Sequence, residues 1–362
     1  MRERSQFPRA QPFGKYILLD KIAEGGMAEI FLAIEDTGGA GRRFVTVKRI
    51  RPELSRDADY IEFFLTEGRI SLKCAHPNLP HVYEVGTIDG VRFLAMDFIR
   101  GHTLLDVLRG AQRSKSKLSV AAAVHIGRGI AAALEHVHSL SDVDGTPLSV
   151  IHRDVTPQNV MVSSAGAVVL IDFGIVRSRV QIHHTQAGII KGKFGYLAPE
   201  QVAGDGAFDC RADIFALGVV LHETLAGRPL FRVPGDDAST VERLVSAPIP
   251  DLRSLRPDVP AALADLVKEA LARDPQARIP SATELLARID TAAEGASLYT
   301  SPNRLRAEVA KLCGPRESWS ITFPTGDELA GDTDAETLYA ENDDLLRDPD
   351  LAYFLARAAI DQ

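Results

Sequence analysis

The apolar pattern of the chain changes once, near residue 100, and this change restricts the fold more than any other feature. Before it, short runs rich in β-branched residues alternate with Gly-containing turns, which is typical of strands. The predicted strands are 16–24, 29–36, 42–50, 81–89 and 91–99. One stretch there, DADYIEFFLTEGRISLKC, has the apolar spacing of a helix. After residue 100, longer segments with helical spacing dominate, chiefly 119–140 and 212–227, the second with a helix stop at Gly227. Short apolar runs at 159–163 and 167–173 predict two more strands. The order predicts an α+β chain with a β-rich first lobe that contains one helix and a mainly helical second lobe.

Composition adds mainly exclusions. The 362 residues are 45% hydrophobic and 25% charged, which is ordinary for a globular protein with a buried core. No run of about 18 apolar residues occurs, and no apolar stretch follows the basic N-terminus, so neither a membrane span nor a secretory signal is expected. The three cysteines are far apart and form no CxxC pair, which predicts a reducing, cytoplasmic location.

The formal net charge of −8 belongs to the C-terminal part of the chain. Residues 291–362 hold 14 acidic and 6 basic residues, and the remaining residues balance to zero. Because no basic face is indicated, we expect no nucleic-acid partner. The tail, 291–362, is predicted to be partly helical, with Ser301 as an N-cap before Pro302, and partly disordered. Three interpretations stay open: the tail binds a basic partner, it covers a lobe of the folded domain, or it is an inert solvated segment.

Five short signals follow one another along the chain. They are the glycine-rich AEGGMAEIF, VTVK ending at Lys48, Glu67 on the following helix, HRDVTPQN at residues 152–159, and DFG at residues 172–174. The tripeptide APE follows at residues 198–200. Each signal alone also occurs in unrelated chains, whereas the ordered set is highly specific.

The ordered set resembles the eukaryotic-like serine/threonine protein kinases of bacteria, over about residues 14–290. This resemblance implies a bilobal protein-kinase fold with lobes at about 14–100 and 101–290, after a flexible N-terminus at residues 1–13. It also implies ATP-dependent phosphorylation of Ser/Thr hydroxyls on protein substrates, with ATP and Mg²⁺ as cofactors.

The same resemblance assigns roles to individual residues. It makes Asp154 the catalytic base and Asn159 and Asp172 the ligands of Mg²⁺. Lys48 holds the α- and β-phosphates and pairs with Glu67, although Glu62 on the same helix is an alternative. The resemblance also implies that Glu200 pairs with Arg278, and that Asp213 and Gly218 lie on a buried helix that supports the catalytic loop.

Nucleotide contacts are expected from the glycine-rich hairpin, from the segment after MDFI and from the start of the helical lobe. Backbone N–H groups without a Cβ barrier approach phosphates closely, although Ala23 and Ala28 replace two glycines of the family pattern GxGxxGxV. The expected residues are Ile22, Ala23, Glu24, Gly25, Gly26, Met27, Ala28, Glu29, Ile30, Asp97, Ile99 and Asp106.

One departure from the family pattern concerns the transferring phosphate. Thr156 stands where the Ser/Thr kinases carry a Lys, and Lys193, in KGKFGYL, stands where the family has a Thr. We therefore expect an exchange, in which Lys193 supplies the charge near Asp154 and Thr156 receives or steers its hydrogen bonds. The alternative is that Lys193 points to solvent. If no charge replaces the Lys, the chain is a pseudokinase or a nucleotide-binding scaffold without phosphotransfer.

Regulation is expected in the segment 175–191. Thr185 is a candidate autophosphorylation site, with Ser178 as a second candidate, and Arg153 is positioned in the sequence to pair with a phosphate there. An ordinary polar loop is the alternative interpretation.

Overall fold

The computed structural model describes residues 10–36, 42–174, 193–204 and 208–314. The chain divides into two compact units. Among the described residues, the first comprises those from 10 to 73 together with His81–Phe98, and the second comprises Cys74–Pro80 and those from 99 to 314. The first is built mainly of strands and the second mainly of helices, as predicted. None of the helices in these residues has the length and apolar character that a bilayer crossing requires.

The first unit is built on a six-stranded antiparallel sheet. Its strands are β1 (Gln11–Phe13), β2 (Tyr16–Glu24), β3 (Ala28–Asp36), β4 (Arg42–Ile50), β5 (Val82–Ile88) and β6 (Val91–Asp97). They pair in the order β1–β2–β3–β4–β6–β5. The five longer strands lie where the sequence predicts them. Residues 11–13, which the sequence assigned to the flexible N-terminus, instead pair with β2, because a turn at Gly14 (φ +55°) folds them back and buries Phe13.

Apolar side chains pack on the strands in separate clusters. One cluster is centred on Tyr16, Phe31 and Phe93, and another includes Phe64 of the predicted helix, α1 (Ala58–Leu72). Asp57 is the N-cap of this helix, and its carboxylate accepts hydrogen bonds from two N–H groups of the first turn. The strand β4 lies between β3 and β6, and α1 packs against β5 and β6.

The second unit is mainly helical. Its helices are α2 (Leu104–Arg113), α3 (Val120–His138), α4 (Pro199–Ala203), α5 (Arg211–Ala226), α6 (Asp237–Ser246), α7 (Leu252–Leu255), α8 (Ala261–Ala270), α9 (Ala282–Gly295) and α10 (Pro302–Cys313). The predicted long helices α3 and α5 are buried on most sides, which explains why their sequences lack a continuous polar stripe. The helix α5 ends at Gly227, whose φ of +75° makes it the predicted stop.

A small antiparallel sheet lies beside these helices. It consists of β7 (Gly101–Thr103), β8 (Val160–Ser163) and β9 (Val168–Leu170), in that order. The sequence predicts β8 and β9 but not β7, since three residues are too few to show a periodicity. Residues 152–159, the catalytic loop, directly precede β8.

The second unit continues beyond the predicted boundary near residue 290. That position falls inside α9, and α10 follows it and packs against α2 and β8. The predicted start of α10 is confirmed, because the Ser301 hydroxyl accepts a hydrogen bond from the N–H of Arg304 and Pro302 opens the helix. The expectations for the acidic tail after residue 314 concern residues outside the described part of the chain.

Candidate active site

The predicted pair of Lys48 and Glu67 forms in the first unit. Lys48 lies on β4 opposite Ile30 of β3, and its Nζ is 2.5 Å from Glu67 Oε1 on α1. Both side chains are buried, whereas the alternative partner, Glu62, is exposed. A buried ammonium group requires such a carboxylate, because an unpaired charge in the interior is strongly destabilising.

The glycine-rich segment forms the turn of the β2–β3 hairpin. The N–H of Gly25 donates to the carbonyl of Ala28, at 2.8 Å, and closes the turn. Outside the turn, Lys21 Nζ bridges Glu24 and Glu29, one on each strand, at 2.6 and 3.3 Å. These contacts hold the expected nucleotide-facing residues Ile22, Ala23, Glu24, Gly25, Gly26, Met27, Ala28, Glu29 and Ile30 within one hairpin.

Asp97 is the last residue of β6, and its carboxylate is used within the first unit. Its Oδ1 accepts a hydrogen bond from the Tyr83 hydroxyl at 2.5 Å, and its Oδ2 accepts one from the N–H of His81 at 3.0 Å. A bulge in β5 at Tyr83 directs this side chain toward Asp97. These two bonds hold the Asp97 side chain within the first unit, and its backbone is the part that we expect to contact a nucleotide. The chain passes into the second unit at the next expected contact, Ile99.

The catalytic loop is anchored on a buried carboxylate, that of Asp213 on α5. Its two oxygens accept the N–H groups of His152 and Arg153, each at 2.8 Å, and Oδ2 also lies 2.8 Å from His138 Nε2. Burial alone would raise the pKa of Asp213, but the hydrogen bond and charge of His138 hold that pKa below its ordinary value. Burial lowers the pKa of His152, which favours its neutral form. Asp213, which matches a structural position of the family, thus orients the catalytic loop from the helix α5.

Asp154 is held from two sides. Asn159 Nδ2 donates to the Asp154 carbonyl at 2.9 Å and to Oδ2 at 2.6 Å. Lys193 Nζ lies 2.9 Å from Oδ2 and 3.3 Å from Oδ1. The side chains of Lys193 and Asp154 are only 19% and 6% exposed, so Lys193 does not point to solvent. The two motifs HRDVTPQN and KGKFGYL therefore meet at one carboxylate.

The prediction for the Thr156 hydroxyl is wrong. Thr156 is buried, but its Oγ1 has no hydrogen-bond partner among the described residues, and Lys193 donates to Asp154 instead. The sequence places the charge at the right carboxylate but not the hydroxyl that was expected to steer it.

The DFG segment lies against the catalytic loop. The N–H of Gly174 donates to the carbonyl of His152 at 2.8 Å, and a Cβ on Gly174 would lie 2.8 Å from Asp154 Cβ. Only glycine fits this approach without displacing Asp154. Asp172, two residues earlier, adopts a left-handed backbone (φ +57°), which is uncommon for a residue other than glycine.

The donor atoms in this region fit Mg²⁺. Because Asn159 uses its amide nitrogen on Asp154, its side-chain oxygen is the atom left for a cation. Together with a carboxylate from Asp172, that oxygen is a hard ligand of the kind Mg²⁺ prefers. Among the described residues, no group of three or more His, Cys, Asp or Glu could hold a metal ion. Mg²⁺ commonly keeps several waters and binds substrate phosphates beside one or two protein ligands.

Two other expected residues, Asp106 and Arg153, lie in the second unit. Asp106 is in the first turn of α2, where a negative charge is favourable, and its N–H donates to the Thr103 hydroxyl. Arg153 has a left-handed backbone (φ +66°), and its guanidinium lies 5.1 Å from the ring centre of Phe208. The candidates Thr185 and Ser178 lie outside the described residues.

The segment that follows Lys193 is tied to the helices by two buried contacts. Arg278 donates to both carboxylate oxygens of Glu200, at 2.7 and 3.1 Å, which confirms the predicted pair. Tyr196 donates to Glu223 on α5 at 2.6 Å, and burial followed by the Glu223 charge raises the pKa of this phenol. Nothing in the sequence signals the second contact, because Glu223 belongs to none of the motifs that the sequence analysis identifies.

Comparisons with known proteins find relatives over most of the chain. Residues 16–288 match the family described as protein kinase domain. The tyrosine-protein kinase MasK of Myxococcus xanthus is 36% identical over 290 residues, which cover 80% of this chain and 44% of that relative. The serine/threonine-protein kinase PknD of Mycobacterium tuberculosis is 36% identical over 278 residues, which cover 75% of this chain and 39% of the relative. The chain thus spans less than half the length of these curated relatives.

A solved structure shows the same arrangement of elements. The crystal structure of the PknI kinase domain of Mycobacterium tuberculosis has a TM-score of 0.57 and 26% sequence identity to this chain. The superposition covers 81% of this chain and all of the PknI domain.

The role of Asp213 leads to a prediction about stability. Asp213→Asn replaces one acceptor oxygen by an N–H group that faces the loop, so we expect the free energy of unfolding to fall by about 2–4 kcal/mol. Asp290→Asn is the matched control, because Asp290 forms an exposed pair with Arg128 and should change stability by less than about 1 kcal/mol. Urea unfolding measures both variants. Equal stability of the two variants would contradict the anchoring role.

Proposed function

Because the chain belongs to the protein kinase family, we propose that it transfers the γ-phosphoryl group of ATP to hydroxyl groups of protein side chains, mainly those of serine and threonine. The observation that carries the proposal is the Asp154 carboxylate held between Asn159 and Lys193. Three functional groups meet there: the Asp154 carboxylate as a proton acceptor, the Asn159 side-chain oxygen as a metal ligand, and the Lys193 ammonium group as a cation. The Ser/Thr kinases among its relatives support this choice of acceptor.

Each of these residues has a distinct task in the proposed reaction. Asp154 orients the acceptor hydroxyl and accepts its proton as the oxygen attacks. Lys48, fixed by Glu67, holds the α- and β-phosphates, while Asn159 and Asp172 hold Mg²⁺. When bound, ATP would supply the phosphoryl group and Mg²⁺ would balance part of the charge on the phosphates. The glycine-rich hairpin covers the phosphates, and the backbones of Asp97 and Ile99 and the side chain of Asp106 contact the nucleoside.

In the proposed reaction, Lys193 neutralises charge on the transferring phosphate. In the family, the Lys at the position of Thr156 has this task. Stabilising charge on the transferring phosphoryl group is the main contribution of the protein to this reaction. The ammonium group of Lys193 is already at the carboxylate that receives the acceptor hydroxyl, so it needs no large rearrangement to act there. Lys193 is two residues after the segment 175–191, which contains Thr185.

The charge of Lys193 can be tested directly. Lys193→Met should lower kcat by about 100-fold or more, because one electrostatic contact to the transition state is lost, and should leave the ATP affinity within about three-fold. Exchanging the two residues, Thr156→Lys with Lys193→Thr, should restore at least part of the lost rate. Lys268→Met, on an exposed position of α8, is the control. Full turnover of Lys193→Met would show that this charge is not used.

The acceptor can be identified by phosphotransfer to a generic basic protein followed by phosphoamino-acid analysis. We expect phosphoserine and phosphothreonine, and a phosphopeptide that contains Thr185, since autophosphorylation there would give Arg153 a phosphate to pair with. Phosphotyrosine alone would assign the chain to the acceptor class named for MasK. Absence of any transfer, with ATP still bound, would favour a nucleotide-binding scaffold.

The remaining expectations stay predictions of the same proposal. They are a cytoplasmic location and a basic partner for the acidic residues beyond 314. A test of the tail should shorten the chain after Gly314 and not near residue 295, because the shorter chain would also lose the packed helix α10.

A further inference from the structure

The helix α10 (Pro302–Cys313) lies beyond the part of the chain that matches the kinase family, residues 16–288. It is nevertheless built into the second unit. Leu305 and Val309, one helical turn apart, are buried to 0% and 3% exposure, so the helix has one apolar face that is fully covered. A helix attached only by its chain ends would not bury this face.

Two glycines permit the close approach of α10 to its neighbours. A Cβ on Gly110, near the end of α2, would lie 2.6 Å from the carbonyl oxygen of Leu312. A Cβ on Gly166, in the turn between β8 and β9 (φ +85°), would lie 1.9 Å from the carbonyl oxygen of Pro302. The two ends of α10 therefore touch α2 and the β8–β9 turn at distances that only glycine allows.

Glu308, in the middle of α10, binds the start of α3. Its carboxylate accepts the N–H of Ser119 at 2.5 Å and the Ser119 hydroxyl at 2.9 Å. Ser119 is the N-cap of α3, so the negative charge of Glu308 lies at the positive end of that helix dipole. One helix thus contacts α2, α3 and β8.

The elements that α10 contacts carry residues assigned to the nucleotide. Asp106 lies in the first turn of α2, and Asn159 directly precedes β8. The first turn of α2 is also bonded to the catalytic loop, because the N–H of Leu105 donates to the carbonyl of Pro157 at 2.9 Å. A shift of α2 would therefore move Asp106 and strain the loop that holds Asp154 and Asn159.

We propose that α10 is a positioning element of this enzyme, which sets α2 and the β8–β9 turn so that Asp106 and Asn159 meet the nucleotide. A ten-residue helix such as α2 has little stability of its own, so its packing decides its position. This inference rests on the proposed function for the nucleotide contacts of Asp106 and Asn159. It adds a segment outside the kinase family match to the machinery that binds ATP.

The test uses substitutions that loosen α10 without touching the nucleotide residues. Glu308→Ala removes the bond to Ser119, and Gly110→Ala forces α10 away from α2. We expect each to raise the KM for ATP and the ATP dissociation constant by roughly three- to ten-fold, with kcat nearly unchanged. Arg306→Ala, on an exposed position of the same helix, is the matched control and should change neither constant.

A double substitution separates positioning from a general loss of stability. If α10 acts through Asp106, then Glu308→Ala should add little to the loss already caused by Asp106→Ala. Unchanged ATP affinity in folded Glu308→Ala, or fully additive losses in the double variant, would overturn the proposal. Should Gly110→Ala fail to fold, Glu308→Ala carries the test, since it leaves Leu305 and Val309 packed.

Direct nucleotide titration keeps this proposal separate from the proposed function. A wild-type chain that binds ATP but transfers no phosphate would overturn the proposed function. Weaker ATP binding by Glu308→Ala in that same chain would still support the role of α10.

Discussion

The carboxylate of Asp213 accepts hydrogen bonds from two successive N–H groups of the catalytic loop and from His138, all at 2.8 Å. These bonds fix the backbone immediately before Asp154, and Arg153 takes up a left-handed conformation there. The direction of the Asp154 side chain follows from that backbone. The bonds that Asp154 receives from Asn159 and Lys193, and the close approach of Gly174, all depend on its position. The Asp213 carboxylate can be buried without a large energetic cost because its neighbours supply the hydrogen-bond donors that it needs.

Lys193 and α10 show how the site draws on distant parts of the chain. Lys193 is 39 residues from Asp154, yet the two side chains share a hydrogen bond and an ion pair. Its segment is held to the helices by the Glu200–Arg278 pair and by the bond from Tyr196 to Glu223. The helix α10 contributes separately, because it packs on α2 and β8. In this account, the charge near the phosphate and the position of the nucleotide are set by segments outside the catalytic loop.

Contacts between residues of the family's motifs could be predicted, and contacts that involve residues outside those motifs could not. Lys48 and Glu67 are identifiable because a strand followed by a helix places both at recognisable spacing. Lys193 is identifiable because its residue type is exchanged with that of Thr156. The Thr156 hydroxyl was predicted wrongly, since the direction of a buried side chain depends on neighbours that no motif encodes. The bond between Tyr196 and Glu223, and the contacts of α10 with Gly110 and Gly166, leave no periodic or compositional signal for the same reason.

Asp154, held in this arrangement, is proposed as the proton acceptor of the phosphoryl transfer. The most direct measurement compares the single-turnover transfer rate and the ATP dissociation constant of Asp154→Asn with those of the wild-type chain. Loss of the base should lower the rate by about 10²–10⁴-fold, while ATP binding stays within about three-fold, since other residues hold the nucleotide. A transfer rate equal to that of the wild-type chain would contradict the claim.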